Sequence, residues 1–407
     1  MYYLFFVNPF LALIYALRDL RRQHAKNILW LFVVFLGFTY ALRPDSRVDT
    51  LRYAEELALL HRMDMSFWEY QSNSGDVDFF SNWLLYYISR FTDSGSVMII
   101  CQSIIFGYFF SRNMTFVFEK LNGTLKPITR VLFLSFFLIM PLWTFGGFRF
   151  NTAIHVFVYG LLHYFFNRER RFLIWCFVTP FLFHYAFLLP TSLLVAYLFL
   201  GNRVTIYFGF YVFSLFFAEF DLKTFNAIFE QYMPAKIQER SSGYRSEKVY
   251  QMKQEAEAQG TFGGKQSWHA ILYRKSLFWS ISLFLIYLFL NRKRLSLLDS
   301  NFISILSYVL LFGGFANFLI NLPSGQRYSL VVALISMAFI TIYIQNSGFD
   351  RIGHRLSILV APFLIFFILV SAREGFYYFS LTTLLGNPIV ALFSLGNNIN
   401  LDYLIKG

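Results

Sequence analysis

Three arginines, Arg149, Arg327 and Arg373, stand at the ends of long apolar runs. A charge at bilayer depth costs several kcal/mol unless it is solvated or paired, so arginines in such places point to a site before they point to packing. Guanidinium suits an anionic, phosphate-bearing ligand, because its planar fork donates two parallel hydrogen bonds and keeps its proton where water is scarce. Arg149 follows the pair Gly146-Gly147, which permits a sharp turn, and the same run carries Asn151 and His155 four residues apart on one helical face. A helix N-terminus there adds a field that favours an anion. Arg327-Tyr328 repeats the arrangement behind the turn residues Pro323-Ser324-Gly325. His184-Tyr185 interrupts another apolar run, and an imidazole at such a break suits proton transfer near neutrality. A dense charged stretch, Arg43, Asp45, Arg47, Asp49, Thr50, Arg52 and Tyr53, offers Asp49 as a second candidate base and more arginines for phosphate. The plainer alternatives are snorkelling of Arg149 to headgroups, packing of His184, and a solvated interfacial face for residues 43–53.

The elements that must position these residues are membrane spans. Of the 407 residues 57% are apolar and 14% charged, against about 25% charged in an ordinary soluble protein. Apolar runs predict spans at 2–17, 27–42, 95–118, 130–145, 149–167, 171–184, 187–200, 203–220, 274–290, 301–320, 328–345 and 355–372. The expected fold is therefore all-α, a single polytopic integral membrane domain over 1–407 with about 12 transmembrane helices. The net charge of +12 falls in short loops between spans, the pattern that sets topology, so nucleic acid is not an expected partner. Cys101 and Cys176 lie inside apolar runs and predict neither a disulfide nor a zinc site. No metal-ligand constellation, Walker-A loop or dinucleotide signature is visible, so no metal and no cofactor are expected.

Loop charge sets the orientation. Arg18, Arg21, Arg22 and Lys26 place the first connection in the cytoplasm. Alternation then puts Lys120/Lys126/Arg130, Arg168/Arg170/Arg171, Arg203, Arg292/Lys293/Arg294 and Arg351/Arg355 on the same side, provided that 171–200 crosses twice as a tight hairpin. Three segments are left outside: 43–94, 221–273 and the tail 373–407. The first is expected to carry an interfacial helix over 51–62 and a re-entrant half-helix over 79–91. Asp49, Arg149, His184, Arg327 and Arg373 all fall on this outer face, so their shared side is the argument for a common site.

At these residues the chain resembles the EpsG family, within the broader group of Wzy-type polysaccharide polymerases. The resemblance rests on Asp49-Thr50-x-x-Tyr53 with Arg43 upstream, Arg149 with Ala153, Phe183-His184-Tyr185-Ala186, and Arg327-Tyr328. Arg47-Val48 stands where the family commonly has a glycine before the Asp-Thr pair. The resemblance implies a GT-C-like fold in a bacterial inner membrane, with large periplasmic loops. It also implies an enzyme that joins undecaprenyl-diphosphate-linked oligosaccharide repeats on the periplasmic face. Arg149 and Arg327 would then grip diphosphate and His184 or Asp49 would activate the acceptor hydroxyl. Arg43, Arg47, Arg52, Tyr53, Asn151, Tyr185, Tyr328 and Arg373 would line the substrate. Membrane lipids, a chain-length regulator and a flippase are the implied partners. A transporter of lipid-linked sugars and a membrane O-acyltransferase are the competing functions. Polar content gathered in unequal outer loops disfavours transport. An outward His184 disfavours an acyl-CoA donor.

Overall fold

The computed structural model describes residues 1–41, 49–74, 78–216, 268–320, 324–347, 351–396 and 398–401, with Gln231 and Tyr403. Arg43, Arg47, most of the 221–273 loop and the last residues of the tail lie outside them. Among the described residues every regular element is helical, and an isolated antiparallel bridge joins Ser380 to Asn400.

The first expected span is two helices, α1 (Tyr2–Val7) and α2 (Pro9–Leu17). Asn8 breaks the run: its side chain accepts the Leu11 N–H, and Pro9 takes the first helical position, where a missing N–H costs nothing. α3 (Gln23–Phe38) follows. The 43–94 loop holds α4 (Asp49–His61), α5 (Phe67–Asn73) and α6 (Phe79–Ser89), the first and last at the places expected for the interfacial and half-helices. α7 (Gly95–Glu119) and α8 (Pro127–Ile139) come next, then a tight turn at Leu142–Gly146 and α9 (Phe148–Asn167). α10 (Leu173–Leu182) and α11 (Leu188–Leu200) are joined by one turn at Tyr185–Phe187, and α12 (Val204–Phe216) closes this half. Beyond the large loop lie α13 (Trp268–Leu290), α14 (Arg292–Leu298), α15 (Ser300–Leu319), α16 (Gln326–Asn346) and α17 (Arg351–Gly375). Two short helices end the described tail, α18 (Leu381–Leu385) and α19 (Pro388–Phe393).

Among the described residues, six helices are long and apolar enough to cross a membrane: Gly95–Glu119, Pro127–Gly146, Ile271–Leu290, Asn301–Leu319, Gln326–Asn346 and Arg351–Gly375. The chain is thus a multi-pass membrane protein by helix length and composition. The other expected spans are shorter, except α9, whose 20 residues include Arg149, Asn151, His155 and His163. α16 is the central helix, with every residue from Val331 to Gln345 buried. α17 instead exposes Ile358, Leu359, Phe363 and Leu369, an apolar face that suits lipid.

Contacts between loops define two ends of the bundle. Arg21 donates to the carbonyls of Leu121 and Gly123, and Lys126 to those of Ile344 and Ser347. Arg168 reaches Asn301, Asn202 reaches Ser304, and the Phe116 and His163 rings, 4.6 Å apart, tie these groups to the same end. Both ends of the 171–200 segment therefore lie at this basic end, while its tip at His184 lies at the other. The expected hairpin is the observed path, with Thr191 on α11 donating to the Cys176 carbonyl on α10.

Candidate active site

Five elements converge at the end opposite the basic loops. α4 starts the assembly. Thr50, Tyr53, Leu57 and Leu60 recur at helical spacing and are buried, whereas Asp49 and Arg52 point outward and pair with each other at 3.4 Å. The Thr50 methyl lies against the glycine turn, so close that a Cβ on Gly146 would come within 2.8 Å of it. Gly147 has an ordinary negative φ of -81°, so what the pair supplies is closeness of approach more than unusual dihedrals. Asn151 fastens the same turn by donating to the Thr144 carbonyl at 2.6 Å. Arg149 is thereby held above Tyr53, its guanidinium 5.9 Å from the ring centroid. Burial pushes the Tyr53 phenol up from its ordinary pKa, against the opposing pull of Arg149.

Asp78, immediately before α6, is the centre of the site, and its side chain is fully buried. One carboxylate oxygen lies 3.3 Å from Arg149 Nη1. The other accepts the Tyr185 backbone N–H at 3.1 Å and lies 3.4 Å from His184 Nδ1. That last contact is within ion-pair reach but off the line of a hydrogen bond. On the far side of the imidazole, Arg327 Nη1 sits 3.4 Å from Nε2. A donor facing Nε2 and a carboxylate facing Nδ1 favour the tautomer with its proton on Nδ1 and a lone pair on Nε2. Phe150 braces the group, with its ring 5.9 Å edge-on from His184 and the Arg327 guanidinium 5.5 Å above it. Ser324, in the turn that leads to Arg327, takes a left-handed φ of 65°, while Gly325 stays at -61°.

Among the described residues of this cluster, one guanidinium pairs with the buried carboxylate and a second stands across the imidazole from it, so two cations accompany one acid and an anion is favoured beside His184. Such a site can hold a phosphate-bearing leaving group and accept a hydroxyl proton a few ångströms away. Among the described residues no group of three or more His, Cys, Asp and Glu has the arrangement of a metal site.

The structure brings together Tyr53, Arg149, His184, Tyr185 and Arg327, with Tyr328 next on the same helix. Arg43 and Arg47 lie outside the described residues, and the remaining candidates stand apart. Asp49 and Arg52 face outward, and Arg373 is exposed in the last turn of α17. Asn151 holds backbone, and His155 is a core residue wedged edge-on between Phe106 and Phe110, its carbonyl accepting from Asn113 at 2.8 Å. Sequence reasoning missed Asp78. Its one local signal is an acid directly preceding the aromatic run Phe79-Phe80 in a chain with only 23 acids.

A family model described as the EpsG family matches residues 2–383, and the chain belongs to that family. No curated protein and no solved structure matches the chain.

Proposed function

We propose that this EpsG-family protein lengthens a surface polysaccharide by transferring lipid-diphosphate-linked sugar repeats at the cluster of Asp78, Arg149, His184 and Arg327. The bond from the anomeric carbon to the diphosphate oxygen breaks, and a bond from that carbon to an acceptor hydroxyl forms. The leaving diphosphate carries its own negative charge and needs neutralisation, not protonation, which is the work of Arg149 and Arg327. Arg327 turns from His184 Nε2 to the diphosphate, the lone pair it leaves takes the hydroxyl proton, and Asp78 steadies the imidazolium from the Nδ1 side. Undecaprenyl diphosphate is the carrier expected for this family, and the cluster faces the periplasm if the basic end is cytoplasmic.

The observation that carries this reading is the buried carboxylate shared by an arginine and a histidine whose other nitrogen meets a second arginine. A flippase has no need of a base so placed. The test is a gel of surface polysaccharide from cells carrying Arg149→Ala or Arg327→Ala, each removing a charge-neutralising donor. The expected result is loss of the long-chain ladder, a fall of about 10²-fold or more in extension, with normal membrane insertion. Wild-type ladders in both variants would overturn the assignment, and repeats trapped on the cytoplasmic leaflet would mean a flippase.

A further inference from the structure

Next to the start of α16, a half-open cavity of about 320 Å³, at the small end of the range of ligand pockets, lies chiefly between α13, α15 and α16. Its walls are mainly apolar, with Leu277 and Ile281 on α13 and Leu330 and Ala333 on α16. Tyr273, Leu277 and Ile281 are successive turns of one helix, so the cavity follows α13 for about 12 Å into the bundle. Polar groups in the wall satisfy one another: the Tyr211 and Ser282 hydroxyls meet at 2.8 Å, and Asn317 donates to Ser214 at 2.9 Å. Ser329 also lines the cavity, with a buried hydroxyl that has no hydrogen-bond partner among the described residues. Arg274, exposed, stands at the mouth.

α16 joins the cavity to the cluster. Gln326, Ser329, Leu330 and Ala333 share one helical face and line the cavity. Arg327, about 100° round the same first turn, reaches His184 instead. An apolar chain in the cavity therefore has its end beside Arg327, and arginines stand on both sides of that end. We propose that the cavity takes the first isoprene units of a long-chain polyisoprenyl diphosphate, with its diphosphate at Arg327. The inference rests on the function proposed above and names where the carrier lipid lies. A long apolar chain with an anionic head also describes a membrane phospholipid, but a cavity of about 320 Å³ holds part of one chain and leaves the second acyl chain outside.

The test is photolabelling of the purified full-length protein in micelles. The probe is a long-chain polyprenyl diphosphate with a diazirine on an isoprene unit near the head. The expected result is labelling of α13 and α16 peptides around Leu277, Ile281 and Leu330. Tenfold excess unlabelled long-chain polyprenyl diphosphate suppresses it at least fivefold, whereas the same excess of phosphatidylglycerol changes it less than twofold (about these ratios by simple competition). Labelling spread over the exposed face of α17, or equal suppression by phosphatidylglycerol, would overturn the proposal. If labelling fails while Arg149→Ala and Arg327→Ala still abolish extension, only the lipid position falls. If labelling succeeds while those variants extend chains normally, the polymerase reading falls and a lipid site remains.

Discussion

Asp78 and Asp49 are both acids beside helices, and what separates them is burial. Asp49 is about half exposed with a single i,i+3 partner, a pair worth little, whereas Asp78 has no exposed surface and faces both Arg149 and His184. Asp78→Asn keeps the shape and the acceptor for Tyr185 N–H but removes the charge that steadies an imidazolium. Chain extension should fall about 10²–10⁴-fold, read as ladder length per folded protein, and the melting temperature in detergent should fall as well, because the amide nitrogen then faces Arg149. Asp78→Ala should also destabilise, by about 3–5 kcal/mol, since Arg149 then lacks its buried partner. Full activity in Asp78→Asn would leave Asp78 a packing residue. The arginines and His184 were legible in the sequence because a charge or imidazole in an apolar run is rare and expensive. Asp78 was not, because it sits in a loop where an acid ordinarily meets water. Its burial comes from α6, α9 and the hairpin tip closing on it, which no local pattern records.

The elements were legible to the extent that apolar runs announce them, and the 171–200 hairpin followed from loop charge. The break at Asn8-Pro9 has a sequence signal, an N-cap followed by proline, but the surrounding hydropathy masks it. Close helix packing leaves even less trace. Gly160 on α9 faces α10 so tightly that a Cβ would lie 2.8 Å from both Cys176 Sγ and the Phe172 carbonyl oxygen. The oxygen belongs to backbone and cannot turn aside. Gly160→Val should push α10 off α9, cost about 1–3 kcal/mol and carry His184 away from Asp78 and Arg327. Gly209→Val is the control, because nothing lies within 4 Å of its Cβ position. A lowered melting temperature and a shortened ladder in Gly160→Val alone would show that the hairpin is held by this contact. An unchanged ladder would mean that α10 tolerates the shift.

Across the whole molecule, basic loops gather at one end and the cluster at the other. Arg21, Lys126 and Arg168 are tied into that basic end by hydrogen bonds to neighbouring loops, so the segregation that sets topology in the sequence is also built into the packing. The consequence is a sidedness that can be measured. In a background with Cys101→Ala and Cys176→Ala, Asn122→Cys and Asn202→Cys place thiols at the basic end. Asp64→Cys and Ser324→Cys place them with the loops that flank the cluster, and all four native residues are exposed. A membrane-impermeant maleimide added to spheroplasts should label the second pair at once and the first only after permeabilisation. The decisive position is Asn202, because a single crossing by 171–200 would move it to the outer side while leaving Asn122 inside. Three spans separate Asn202 from Ser324, so immediate labelling of Asn202→Cys with Ser324→Cys protected until permeabilisation would therefore undo the hairpin. It would also separate His184 from Arg149 and Arg327, and with it the reason to treat them as one site.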